Sequence, residues 1–131
     1  MFRSHNDLGS DTGSSIVGFV LVAPLVVALF IAIGQVTMLV ADKSVLNSAA
    51  AIGARTASAA DASNADGRSA ALKVLSSRGS SFRPEAIVVT QTRFQGLTYI
   101  SVTVTRKVVI PFLDREIVLT GRARAIDEAT L

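Results

Sequence analysis

The sequence contains no cysteine and no tryptophan, and its one histidine, His5, lies in the polar residues near the N-terminus. The missing cysteine excludes disulfides, thiolate zinc sites and cysteine nucleophiles. A lone histidine remote from the rest of the chain indicates neither a metal site nor a catalytic base. No glycine-rich phosphate loop and no carboxylates with metal-ligand spacing occur. We therefore expect no metal, no cofactor and no enzymatic activity.

Dense positive charge is also missing. The formal net charge is +3, and acidic residues interrupt the basic ones along the whole chain. A surface that binds nucleic acid usually carries a denser basic stripe with aromatic residues beside it. We therefore expect a solvated surface of mixed charge and no nucleic-acid partner.

No charged residue occurs between Asp11 and Asp42, and residues 16–41 form a long apolar run. A membrane-spanning helix needs about 20 apolar residues, whereas the apolar region of a cleavable signal has only about 7–15. The alanines at 49–51 resemble a signal-peptidase site but lie too far beyond the run. A buried core helix of this length would need a larger soluble domain around it. The pattern favours a transmembrane helix at 14–41.

The orientation of this helix is only weakly indicated by charge. Arg3 is the one basic side chain before the run, and Lys43 and Arg55 follow it. By the positive-inside rule, this count leans towards a cytoplasmic C-terminal side.

The residues on either side of the apolar run predict a polar leader at 1–13 and a helical extension at 42–60. Thr12 or Ser14 could cap the helix, and the alanine-rich extension favours its continuation. Ala49, Gly53 and Ala57 recur every four residues. Such a smooth face can pack closely against another helix or a sheet, and the simplest interpretation is a helix lying on its own domain.

Residues 61–131 predict a small α+β domain. The composition at 61–67 indicates a loop, followed by a short helix at about 68–77 that Asp66 or Asn64 could cap. We expect three side chains of this helix to face inward: Ala71, Leu72 and Leu75.

The period then changes to two, which is typical of strands. Strands are predicted at 86–94, 98–110 and 116–125, with a turn at Gln95-Gly96. Inward positions are predicted at Ile100, Val102, Val104, Ile117 and Leu119, and outward positions at Arg122 and Arg124. Such a sheet has one apolar face, which only the helical extension and the short helix could cover. The predicted fold class is α+β: a long N-terminal transmembrane helix continuing into a small domain with a short helix and a three-stranded antiparallel sheet.

Two stretches together resemble a known family. They are GSSIVGFVLVAPL, from Gly13 to Leu25, and LNSAAAIGAR, from Leu46 to Arg55. Their order and spacing are similar to those of TadE-like proteins, the minor pseudopilins of tight-adherence pilus systems. The resemblance covers most of the chain in layout but only these two stretches in motif.

The resemblance implies that a prepilin peptidase cuts between Gly13 and Ser14. It also implies an N-terminus inside and a C-terminal domain outside the cytoplasmic membrane, which decides against the weak charge signal. The implied partners are membrane lipid, other pseudopilins or pilus-assembly proteins, and a prepilin peptidase. The residues expected at helix-packing positions are Gly18, Pro24, Ala28, Ala32, Ala49, Gly53 and Ala57.

The sequence departs from the family pattern at Gly18, where the family usually has glutamate. In pilins that carboxylate is thought to pair with the N-terminal amine of a neighbouring subunit, and a carboxylate in lipid needs such a partner. Either the protein is a minor, non-polymerising component, or it is not processed. The expected function is a minor pseudopilin or assembly component of a tight-adherence pilus. The alternative is a single-pass anchored structural or interaction domain of another envelope complex.

Membrane insertion provides the first test. The protein should fractionate with membranes and resist carbonate extraction, because residues 16–41 carry no charge. Val27→Arg and Leu29→Arg should each cost about 2.5–3.5 kcal/mol of insertion free energy at mid-span. Recovery of the unchanged protein in the soluble fraction would contradict the assignment.

Overall fold

The computed structural model of the protein describes residues 11–79, 82–111 and 113–130. Its elements, in chain order, are helix α1 (Asp11–Ser58), helix α2 (Asn64–Ser76), strand β1 (Ala86–Phe94), strand β2 (Leu97–Ile110), strand β3 (Arg115–Ile126) and a 3-10 turn (Glu128–Thr130). One long apolar helix, one short helix and a three-stranded antiparallel sheet confirm the predicted α+β class.

The chain divides into two compact units, one ending at Thr37 and the other beginning at Met38. Helix α1 contributes residues to both. In the first unit, the apolar side chains from Ile16 to Val36 are exposed or nearly so. The second unit contains α2, the sheet and residues 38–58 of α1, and it has a hydrophobic core of its own.

Helix α1 begins earlier than the sequence predicted. It starts at Asp11, so the predicted caps, Thr12 and Ser14, lie inside the helix. The predicted polar leader falls mostly on residues 1–10, which lie outside the described residues. The helix ends at Ser58, with Arg55 in its last turn, where a positive charge interacts favourably with the helix dipole.

Pro24 lies well inside α1. Proline has no backbone N–H, so the carbonyl of Val20, four residues earlier, loses its helical donor. Because transmembrane helices tolerate proline better than soluble ones, this position is compatible with a span.

The sheet has the strand order β1-β2-β3, and both pairs are antiparallel. The β1–β2 hairpin closes at Gln95 and Gly96, whose φ angles of 50° and 83° are both positive. Two positive φ angles at the centre of a two-residue turn match the twist of the flanking strands. The predicted strands and turn are confirmed, with β2 and β3 each extending by a residue or two.

The core of the second unit lies between the sheet and the two helices. Ile100, Val102 and Val104 of β2 are buried, as predicted. The helices cover them with a larger set of mostly small side chains, namely Val45, Leu46, Ala49, Ala50 and Ala54 from α1 and Ala71 and Leu75 from α2. The prediction that these two helices cover the apolar face is confirmed.

The start of α2 differs from the prediction. The helix begins at Asn64, within the predicted loop, and its N-cap is Ser63 rather than Asn64 or Asp66. The Ser63 hydroxyl accepts a hydrogen bond from the Asp66 backbone N–H, while the Asp66 carboxylate accepts from the Ser63 backbone N–H. Hydrogen bonds from the Ser63 hydroxyl and backbone N–H lower the pKa of Asp66. This reciprocal capping box satisfies two donors that the helix itself cannot.

One of the three inward positions predicted for α2 is wrong. Ala71 and Leu75 are buried, but Leu72 is 49% exposed. Ala71 and Leu75 are four residues apart and share one face, whereas Leu72 is rotated by about 100° from Ala71. The face of α2 that covers the core is therefore narrower than predicted: it includes Ala71 and Leu75 but not Leu72.

The helix and the sheet approach each other closely at Gly121 in β3. A Cβ atom at this position would overlap the backbone of Leu46 and Asn47 in α1. Gly121 stands opposite Val104 in the β2–β3 register, and both are buried. The missing side chain therefore lets the two backbones touch.

Gly121→Ala should lower the free energy of unfolding by about 1–3 kcal/mol, because the added carbon meets helix backbone and not a flexible side chain. Thr120→Val, on the opposite face of the same strand, is the matched control and should stay within about 0.5 kcal/mol. Urea unfolding of the full chain in detergent, followed by circular dichroism, measures both. Equal stability of the two variants would show that the backbones do not touch there.

Candidate functional site

The predicted cleavage junction lies in the first turn of α1. Gly13 is exposed, and Gly13 and Ser14 are both helical. A Cβ at Gly13 would have no neighbour within 4 Å, so nothing in the described chain shields the backbone there. A peptidase that binds this bond in an extended form would have to unwind the first helical turn.

Residues after the junction form a helix apolar enough to cross a membrane. The candidate span is Ile16–Ser58, with a mean hydropathy of 3.0 in its most apolar 18-residue window, none of which is buried. By length and composition this supports a single-pass membrane protein.

Four of the predicted helix-packing residues, Gly18, Pro24, Ala28 and Ala32, are exposed within this span. A Cβ atom at Gly18 would also lie in open space. The structure therefore brings none of the four against another described element. Their predicted role in packing against a second helix stays a prediction.

The other three predicted packing residues, Ala49, Gly53 and Ala57, are buried in the second unit. A Cβ at Gly53 would lie 2.8 Å from the carbonyl oxygen of Gly67 and 3.1 Å from the Cβ of Ala71. A Cβ at Gly67 would lie 2.6 Å from the Cβ of Ala57. Helices α1 and α2 therefore cross at two glycines, and this face of α1 is already occupied within the chain.

An ion pair joins α1 to the sheet at the first charged residue after the apolar run. Arg106 of β2 donates to the Asp42 carboxylate at 2.6 Å, and both side chains are largely buried. The Arg106 guanidinium also lies 3.9 Å from the centre of the Phe82 ring. A paired charge held over an aromatic ring has its desolvation partly compensated. The pair thus adds a polar contact between α1 and β2 to the apolar packing.

A second polar contact lies at the free edge of β3. The backbone N–H of Arg122 donates to the Asn47 side-chain carbonyl at 3.3 Å. At the other edge of the sheet, Arg68 of α2 donates to the Ile87 carbonyl at 2.9 Å. Unpaired strand edges promote association with other chains, and these side chains occupy part of each edge.

Sequence reasoning missed Asp42, Arg106, Gly67 and Gly121. An isolated glycine inside an alternating strand, such as Gly121, can signal close backbone approach, and this signal was available. The Asp42–Arg106 pair had no local signal, because the two residues lie far apart in the chain.

The described ranges contain no group of three or more histidine, aspartate or glutamate side chains that could hold a metal ion. The contacts described above hold the sheet against the C-terminal part of α1.

Residues 13–55 match the family model described as TadE-like protein. The match covers about one third of the chain. No curated protein and no solved structure matches the chain. The TadE-like family is associated with tight-adherence pili and is a structural or assembly family with no known enzymatic activity. The comparison therefore confirms the TadE-like resemblance over residues 13–55, which contain most of the candidate membrane span and most of the buried face of α1.

Proposed function

We propose that this protein is a minor pseudopilin or assembly component of a tight-adherence pilus system. One observation carries the proposal: the TadE-like match at residues 13–55 coincides with the helix that is apolar enough to span a membrane. In this role, the helix anchors the protein beside the other pilus subunits, and the domain contacts them outside the membrane.

The proposed orientation places the N-terminus inside and the second unit outside the cytoplasmic membrane. It follows from the pilus role, because a prepilin peptidase must reach the Gly13–Ser14 bond while the domain meets extracytoplasmic partners. The partners of this proposal are membrane lipid, other pseudopilins or assembly proteins, and the peptidase.

Two features favour a non-polymerising component over a major subunit. Gly18 supplies no carboxylate to pair with a neighbour's amine. The smooth face at Ala49, Gly53 and Ala57 is occupied by α2 and the sheet. The exposed residues of the span remain available for contact with another helix.

The alternative is a single-pass anchored domain of another envelope complex. Gly18 favours this alternative too, because an unprocessed protein would need no carboxylate there. The two functions differ in what happens to the leader.

Proteolytic removal of the leader distinguishes the pilus role from the alternative. Under the proposal, mature protein from its own host should begin at Ser14, as read by N-terminal sequencing. Gly13→Leu should abolish the cut, because a bulky side chain prevents close backbone approach at the junction. Gly18→Ala, a glycine change in the same helix beyond the junction, is the matched control and should be processed normally.

Gly18→Glu then tests docking. A side chain can start at this position without a clash, because a Cβ at Gly18 would have no neighbour within 4 Å. If the helix enters a pilin bundle, the carboxylate pairs with an amine and the variant accumulates normally. If the helix stands alone in lipid, the charge weakens insertion. A mature protein beginning at Met1, together with poor insertion of the Glu variant, would overturn the pilus role in favour of the alternative.

A further inference from the structure

The sheet has a second face, on the side away from the core. In β2, Ser101, Thr103 and Thr105 alternate with the buried Val102 and Val104, so their side chains point away from the helices. Their neighbours in register are Thr90, Val88 and Ala86 on β1 and Arg124, Arg122 and Thr120 on β3. We call these nine residues the outer face. An antiparallel sheet can leave such a face in water.

Two arginines lie side by side on the outer face. Arg122 and Arg124 are both exposed, and two residues of strand separate their Cα atoms by about 7 Å. The Arg124 Nε donates to the Ser101 hydroxyl at 3.3 Å, and the guanidinium lies 5.9 Å from the centre of the Tyr99 ring. Arg124 is therefore held along the sheet. The Arg122 side chain makes no hydrogen bond or ion pair within the described part of the chain.

The charge of these two arginines is not balanced by an acid. Cations next to the outer face in β2 are paired: Arg106 with Asp42 at 2.6 Å, and Lys107 with Glu85 at 2.9 Å. The hydrogen bond and charge of Glu85, together with the charge of Glu116, raise the pKa of Lys107. Among the described residues, neither outer-face arginine has such a carboxylate. The two like charges repel each other, and both attract a negatively charged ligand.

A shallow depression of about 330 Å³ lies beside the two arginines. It is lined by Ser101, Val102, Thr103, Arg122, Ala123 and Arg124. The Ser101 hydroxyl accepts from Arg124 and keeps its own proton available to donate. The polar side chains of the depression are therefore hydroxyls and guanidiniums, which can all donate hydrogen bonds to an anion.

The spacing of the arginines indicates which anion fits. Guanidinium binds carboxylate through two parallel hydrogen bonds. In an extended peptide every second side chain points the same way, with a repeat of about 7 Å that equals the separation of the two arginines. Nucleic acid usually meets a denser basic stripe, whereas the outer face contains two cations. An extended acidic peptide is the better match.

We propose that the outer face binds an extended acidic segment of a partner protein, whose alternate carboxylates pair with Arg122 and Arg124. The hydroxyls of Ser101 and Thr103 donate further hydrogen bonds to the same carboxylates. The site lies wholly within the second unit. It rests neither on the pilus role nor on the orientation of the membrane helix.

The test measures binding of fluorescein-labelled peptides to the full chain in nonionic detergent by fluorescence anisotropy. The first peptide, TETETETE, has glutamate at every second position. The control peptide, TTEETTEE, has the same composition and charge, but no two of its glutamates lie two residues apart. The pair of peptides separates the effect of spacing from that of net charge.

Arg122→Gln and Arg124→Gln each remove one positive charge from the outer face. Arg93→Gln removes the same charge from an exposed position on the other face of the sheet and is the matched control. Circular dichroism checks that each variant is folded. Because the Arg122 side chain has no partner to lose in the described chain, Arg122→Gln gives a result even if Arg124→Gln lowers stability.

The alternating peptide should bind more tightly than the control peptide, and added salt should weaken its binding. Each outer-face variant should weaken binding about threefold to tenfold, because a charged hydrogen-bonded pair is lost. Arg93→Gln should bind like the unchanged protein.

Equal binding of the two peptides, or no binding at millimolar concentration, would overturn the proposal. An equal loss in Arg93→Gln would also overturn it, because the attraction would then reflect net charge alone. Tighter binding of a single-stranded oligothymidylate than of the alternating peptide would assign the face to nucleic acid instead. A mature protein beginning at Met1 would contradict the pilus role and leave these results unchanged.

Discussion

The backbone contact between α1 and β3 is the constraint on which the rest of the domain depends. A Cβ at Gly121 would overlap Leu46, so the helix that carries the candidate span also lies directly on the sheet. Without the last third of α1, the apolar face of β2 would lose most of its cover. The C-terminal part of α1 is therefore a core element of the second unit.

Small residues allow the C-terminal part of α1 to pack closely against both α2 and the sheet. Alanine favours helix in water, and the face containing Gly53 lets α2 cross at close range through Gly67. The bulk of the core comes instead from β2 and from Leu46 and Leu75. The TadE-like match ends at Arg55, inside α1, so it includes most of the helix surface that contacts the sheet. The matched segment thus includes both the apolar part of α1 and most of the α1 residues that belong to the core.

Local pattern was enough to predict the strands, the Gln95–Gly96 turn and the apolar helix, because alternation and hydropathy are local properties. The capping of α2 was missed because Ser63 and Asp66 lie in a stretch whose composition also suits a loop. Leu72 was misplaced because periodicity does not settle the width of the buried face. The Asp42–Arg106 pair depends on how the helix and the sheet align in the fold. A short window of sequence carries no information about that alignment.

Hydrogen exchange on the full chain in detergent tests most directly whether α1 and the sheet form one cooperative unit. Amides from Leu46 to Ala57 should share the opening free energy of Val102 and Val104, because both exchange only when the domain unfolds as a whole. Exchange of the helix amides at a clearly lower free energy, with the strands still protected, would contradict the account. The domain would then be stable without the helix that anchors it.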